Sequence, residues 1–214
     1  MLIPMDRLVT EHGTRPKTVI HVGAHLGEEA PDYADAGVEQ VLWIEANPGL
    51  MDGLRANVSQ YKGQRALQAV CSDVDDQDVE LRVASFSMSS SILPMKRHLA
   101  FYPTIVEIGR IPLASITVDT LLAANGIVPE FDMINIDVEG AELYVLRGMA
   151  SVLPSARWVY LEVNHEEMYE DCALVPDVDV YLGERGFERV AIEDAYLGGR
   201  MMGFADALYQ RVTS

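Results

Sequence analysis

The sequence predicts a doubly wound α/β sandwich, a mostly parallel sheet with helices on both faces. Three observations carry this. Short apolar runs alternate with helix-forming segments, which calls for parallel pairing through right-handed crossovers. Runs such as "VLWIEA" and "MINIDV" are apolar almost throughout, as strands are when both faces are covered. A glycine-bearing loop follows the first strand, at the carboxyl end where open α/β sheets place ligands.

Each element has its own warrant. "TVIHVG" (18–23) is a β-branched run ending in glycine, and "EEAPDYADAG" (28–37) follows as a helix closed by Gly37. "QVLWIEAN" (40–47) is a buried strand; Pro48 then opens the helical segment 48–61, since proline suits a first helical turn. "RALQAVCSD" (65–73) reads as a third strand, and "VELRVASF" (79–86) alternates as an antiparallel addition. Residues 85–116, rich in serine and proline with a late extended run, read as an insertion and a substrate lid. Alternation resumes with a helix at 118–126, a strand at 131–138, a helix at 140–153 and a strand at 157–164. A helix at 177–186 and strands at 187–194 and 206–213 complete the chain. No clear helix separates the last two strands, so the final one is expected to run antiparallel.

At 214 residues and 49% hydrophobic, the chain suits one domain, 1–214, with residues 1–17 as a short N-terminal segment. Sixteen basic against 33 acidic residues leave a charge of -17, which disfavours nucleic acid and anionic membrane surfaces as partners. The start lacks the basic flank and apolar core of a signal peptide, and no run is long enough to span a bilayer. Two cysteines without CxxC spacing suggest neither a disulfide framework nor a zinc site. A cytoplasmic protein is the simplest expectation.

The loop "HVGAHLGEE" spaces Gly23 and Gly27 as G-x-x-x-G, without the full G-x-G-x-x-G of dinucleotide folds. Glu28 and Glu29 stand where a phosphate would need amides, so a cationic ligand fits better and a nucleotide-dependent oxidoreductase is disfavoured. Glu45 ends the second strand 22 residues after Gly23, where nucleoside-binding folds put a ribose-binding carboxylate; alone it would be a solvated strand-end acid. In "CSDVDD", Ser72 or Asp73 either meets an adenine edge or forms an acidic hairpin turn.

These residues resemble the FkbM-type S-adenosylmethionine-dependent methyltransferases. The likeness runs through 19–48, "AVCSD", "SMSSSIL", "ITVDTLL" and, most specifically, "INIDVEGAELYVLRG". It implies a class I methyltransferase sandwich, a seven-stranded mostly parallel sheet with one antiparallel strand plus an inserted β/loop segment. It also implies O-methylation of a hydroxyl on a sugar, glycolipid or macrolide-like natural product. Carried over by position, Gly23, Ala24, His25 and Gly27 would shape the methionine side of the S-adenosylmethionine site, and Glu45, with Asn47 beside it, would bind ribose. Asp73 would lie near adenine and Asp137 near the sulfonium. His25 replaces a common asparagine, and Ala46 a frequent proline. A protein that keeps the fold without catalysis is the remaining alternative.

Methyl transfer from a sulfonium to an alcohol needs in-line alignment and then removal of a tightly held proton. Among five histidines, His165 directly follows "YLEVN", at a strand end beside the "NIDVEG" strand, and is the favoured base, with His98 and Glu139 behind it. The alternative for His165 is a capping role. Asp137, Glu139 and His165 also form a conceivable divalent-metal set, ranked lower because no fourth ligand is identifiable. Lys96, Arg97 and Arg110 concentrate positive charge in the insertion, either as a solvated loop or to meet an anionic acceptor.

Overall fold

A computed structural model describes residues 1–212 of the chain; the final predicted strand therefore extends at Thr213 beyond the described residues. Helices α1 (Met5–His12), α2 (Ala30–Asp35) and α3 (Met51–Val58) alternate with strands β1 (Thr18–Val22), β2 (Gln40–Glu45) and β3 (Gln64–Gln68). Next come β4 (Val70–Cys71), β5 (Asp78–Ala84), the short helix α4 (His98–Phe101) and β6 (Glu107–Ile116). The chain continues through α5 (Val118–Ala124), β7 (Met133–Ile136), α6 (Glu142–Arg147), β8 (Trp158–Asn164) and α7 (Val175–Gly183). It closes with β9 (Phe187–Leu197) and β10 (Arg200–Arg211).

Seven strands form one sheet in the order β3-β2-β1-β7-β8-β10-β9. The pairings from β3 to β8 are parallel, and only β10 runs antiparallel, against both β8 and β9. The strand order reverses between β1 and β7, so their carboxyl ends open the crevice where such sheets bind ligands. Alternate residues of each strand feed opposite cores. Ile20, Leu42, Ile134 and Val159 pack under α5, α6 and α7. Val19, Val41, Met133 and Tyr160 pack under α1, α2 and α3. His21 belongs to this second side, stacked 4.8 Å from the Trp43 ring and hydrogen-bonded to the Tyr33 hydroxyl at 3.2 Å. Burial pushes its imidazole down to about 4.

Three expectations need correcting. The run 65–73 is two strands: the main sheet keeps β3, whereas β4 leaves it to pair with β6 in a three-stranded sheet, β4-β6-β5. The helix expected at 140–153 ends at Arg147, and at Gly148, its C-cap, a Cβ would stand 2.0 Å from the Ser72 carbonyl. The link between the last strands is itself strand, turning at Gly198 and Gly199, both with positive φ.

Candidate active site

Two cavities open at the carboxyl ends of β1, β2, β7 and β8. The first is floored by Gly23, Glu45 and Asp137 and walled by Ile44, Val70, Leu81 and Met88. The second is lined by His98, Tyr102, Glu139, Glu162, Tyr169 and Asp206 among others. Asp137 and Met88 line both. The segment between β5 and β6 roofs both, through Ser87, Ser90 and Ser91 over the first and Phe86, Ser89 and Tyr102 over the second.

The first cavity is built around Glu45. Its carboxylate accepts the amides of His25 at 2.8 Å and Asn47 at 2.7 Å, which ties the glycine loop to the end of β2. Each oxygen keeps a further lone pair, and burial raises the carboxyl above its ordinary range. Gly23 is required here: its φ is +89°, and a Cβ would stand 1.7 Å from the Asp137 carbonyl. His25, at φ +44°, bonds Glu28 at 2.7 Å and Ser87 at 2.8 Å, clasping the loop to the roof; the Glu28 bond raises its imidazole above the usual value. Ala24, Gly27, Asn47, Ser72 and Asp73 do not line this cavity. Gly27 makes room for Val58 and Leu54 of α3, the Asn47 side chain caps the turn at Gly49, and the Ser72 amide bonds the Ile116 carbonyl. Cys71, not Ser72 or Asp73, faces the cavity from β4.

The loop after β7 carries the acids of the second cavity. Glu139 has a left-handed backbone, φ +57°, and Gly140 follows at +97° against the Tyr169 side chain. Strain of this kind persists where the surroundings hold it. Here Glu142, at the start of α6, accepts the amides of Val138 at 3.1 Å and Gly140 at 3.0 Å, while the Ser91 hydroxyl donates to the Glu139 carbonyl at 2.7 Å. The Glu139 carboxylate is thereby aimed at the Tyr169 hydroxyl, 2.6 Å away. Burial and mutual repulsion push Asp137 and Glu142 up to about 7, and Glu139 and Glu162 well above the carboxylate range.

The histidines separate. His98 is buried in the second cavity, its ring 5.0 Å from Tyr102 and 5.5 Å from Tyr169, with Nδ1 unpartnered and its imidazole pushed below the usual value by burial. His165 lines neither cavity; its Nε2 bonds Asp194 at 2.8 Å. It also does not join the acids: the oxygens near Asp137 and Glu139 belong to Glu162. The cations of the insertion are paired at the surface, Lys96 with Glu167, Arg97 with Glu166 and Arg110 with Glu80 and Glu107. Sequence reasoning missed Glu162, Glu142 and Asp206. The first and last stand as the single acid of their strands, each between apolar neighbours, a costly placement that could have flagged them.

A seven-stranded sheet with this order, one antiparallel strand and a ligand crevice beside β1 defines the class I methyltransferase fold. The chain belongs to the FkbM methyltransferase family, whose domain matches residues 21–189. It is similar to 2-O-methyltransferase NoeI of Sinorhizobium fredii, 24% identical over 159 residues, covering 71% of this chain and 65% of the relative. It is likewise similar to hexuronic acid methyltransferase AglP of Haloferax volcanii, 27% identical over 160 residues, covering 74% and 60%. The chain thus spans less than two thirds of the length of these relatives. Among solved structures, methyltransferase FkbM from Methylobacillus flagellatus superposes with a TM-score of 0.62 at 13% identity, covering 97% of this chain and 48% of the other. No helix among the described residues is long and apolar enough to cross a membrane.

Proposed function

We propose that this methyltransferase moves the methyl group of S-adenosylmethionine to a hydroxyl of a sugar or sugar-like small molecule. The observation that carries the reading is the shared wall at Asp137. One cavity has a carboxylate floor and apolar sides, the other is ringed by acids and aromatic hydroxyls, and they meet at Asp137 and Met88. The names of both curated relatives support this, one a 2-O-methyltransferase and the other acting on hexuronic acid.

The first cavity suits the cofactor. The free lone pairs of Glu45 match a ribose diol, and Val70, Leu81 and Met88 offer apolar contact to a purine. Asp137 gives a positively charged sulfur its counter-charge. When bound, S-adenosylmethionine supplies an activated methyl carbon open to in-line attack.

The second cavity takes the acceptor. Glu139 and Glu162 accept hydrogen bonds from sugar hydroxyls, and the Tyr102 ring offers a stacking face. Kept neutral by burial, the His98 imidazole receives the hydroxyl proton, in place of His165. The roof excludes water, with the His25–Ser87 bond as its clasp. Transfer of labelled methyl from S-adenosylmethionine to a panel of hexuronic acids, deoxysugars and oligosaccharides tests the reading. Label on an ether oxygen is expected; cofactor binding with no transfer to any acceptor or cell extract would leave a non-catalytic protein of this fold and refute it.

A further inference from the structure

Glu162, like Asp137, is an acid of the second cavity whose carboxylate nothing holds among the described residues. It is 8% exposed, its side chain faces the cavity from the wholly buried strand β8, and among the described residues no donor hydrogen-bonds its carboxylate. Its strand neighbour Asp206 is different, held by the Tyr160 hydroxyl and by the Leu2 amide at 2.6 Å. Asn164, two residues further along the same face, is also buried with neither amide atom hydrogen-bonded. One carboxylate oxygen each from Asp137, Glu139 and Glu162 lies within 4.8 Å of the other two. Buried carboxylates this close are ordinarily relieved by an arginine or lysine; among the described residues none lines this cavity, and the ammonium that does, that of Met1, is paired with Glu29.

We propose that Asp137, Glu139 and Glu162 form a divalent-cation site in the wall between the two cavities. Oxygens bound to one Ca²⁺ at about 2.3–2.6 Å stand at most about 5 Å apart, so the three acids already lie within reach of one centre. An all-oxygen donor set selects Mg²⁺, Mn²⁺ or Ca²⁺ over zinc or copper. Three protein ligands leave positions for two adjacent hydroxyls of an acceptor, so the ion would choose substrates with a vicinal diol. That role rests on the methyl-transfer reading, whereas the cation site does not.

The full chain, stripped with EDTA and free of cofactor, is titrated with Mn²⁺ while the free-ion paramagnetic resonance signal is followed. One ion per chain is expected, displaced by excess Mg²⁺ or Ca²⁺. Glu162→Gln should weaken it by about tenfold or more, whereas Glu166→Gln at the surface should leave it unchanged. Glu162→Gln removes a buried charge, and an unreduced melting temperature establishes that it folds; Glu139→Gln gives a second reading. No binding at millimolar Mn²⁺, or equal binding by wild type and Glu162→Gln, overturns the site. Intact Mn²⁺ binding with methyl transfer indifferent to EDTA overturns the role in acceptor choice alone.

Discussion

Glu142→Gln should make the protein more stable at alkaline pH while changing little in weak acid. Glu142 is 3% exposed, and its carboxyl is pushed up from 4.5 to about 7, first by burial. A carboxyl whose folded value is raised contributes its stability fully below the unfolded value and loses it as pH rises through the folded one. The window is therefore about pH 4.5 to 7. At 1.36 kcal/mol per pH unit, the ionised folded state carries a penalty of about 3 kcal/mol above that window. Glutamine never ionises, and its amide oxygen still accepts the Val138 and Gly140 amides. The figure is an upper limit, because the new amide nitrogen needs an acceptor. For a chain of this size, about 2–4 °C per kcal/mol puts the gain at up to roughly 6–12 °C. Thermal melts by circular dichroism in EDTA, at about pH 5 and about pH 8.5, measure it. A variant that melts at or below wild type at the higher pH would show that Glu142 ionises freely in the folded protein, and the account of the acid cluster would fall.

Three further outcomes are expected. His98→Ala should lower methyl transfer by about 10² to 10⁴ with cofactor affinity unchanged, whereas His165→Ala should leave the rate within about twofold; steady-state kinetics with separate cofactor calorimetry decides, and the opposite ranking restores His165 as base. Glu45→Gln should weaken S-adenosylmethionine binding about tenfold or more by calorimetry, since its amide nitrogen would face the His25 or Asn47 amide, donor against donor. Gly23→Ala should cost about 3 kcal/mol or more in urea unfolding, because the new Cβ would overlap the Asp137 carbonyl; a folded variant of wild-type stability would show that the loop can move.

The main sheet was legible because its central strands β1, β2, β7 and β8 are apolar on both faces almost throughout. β4 was not, because only its partner β6, more than forty residues later, distinguishes it from a continuation of β3. Glu45 was readable as a strand-end acid only when coupled to the glycine loop, and Asp137 only through the family resemblance; both line the first cavity. The surroundings of the histidines were not readable: the sequence favours His165 by its place at a strand end, and only the fold of the insertion carries His98 onto Tyr169 while Asp194 bonds His165. Gly27 shows the same limit, since a glycine that admits a ligand and one that admits Leu54 of a packed helix are written alike.

Because Asp137 and Met88 belong to both cavities, occupants of the two are expected not to bind independently. Whatever the first occupant does to the charge of one side chain and the rotamer of the other is felt by the second as altered affinity. Reciprocity then requires the acceptor to change cofactor affinity by the same factor that the cofactor changes acceptor affinity.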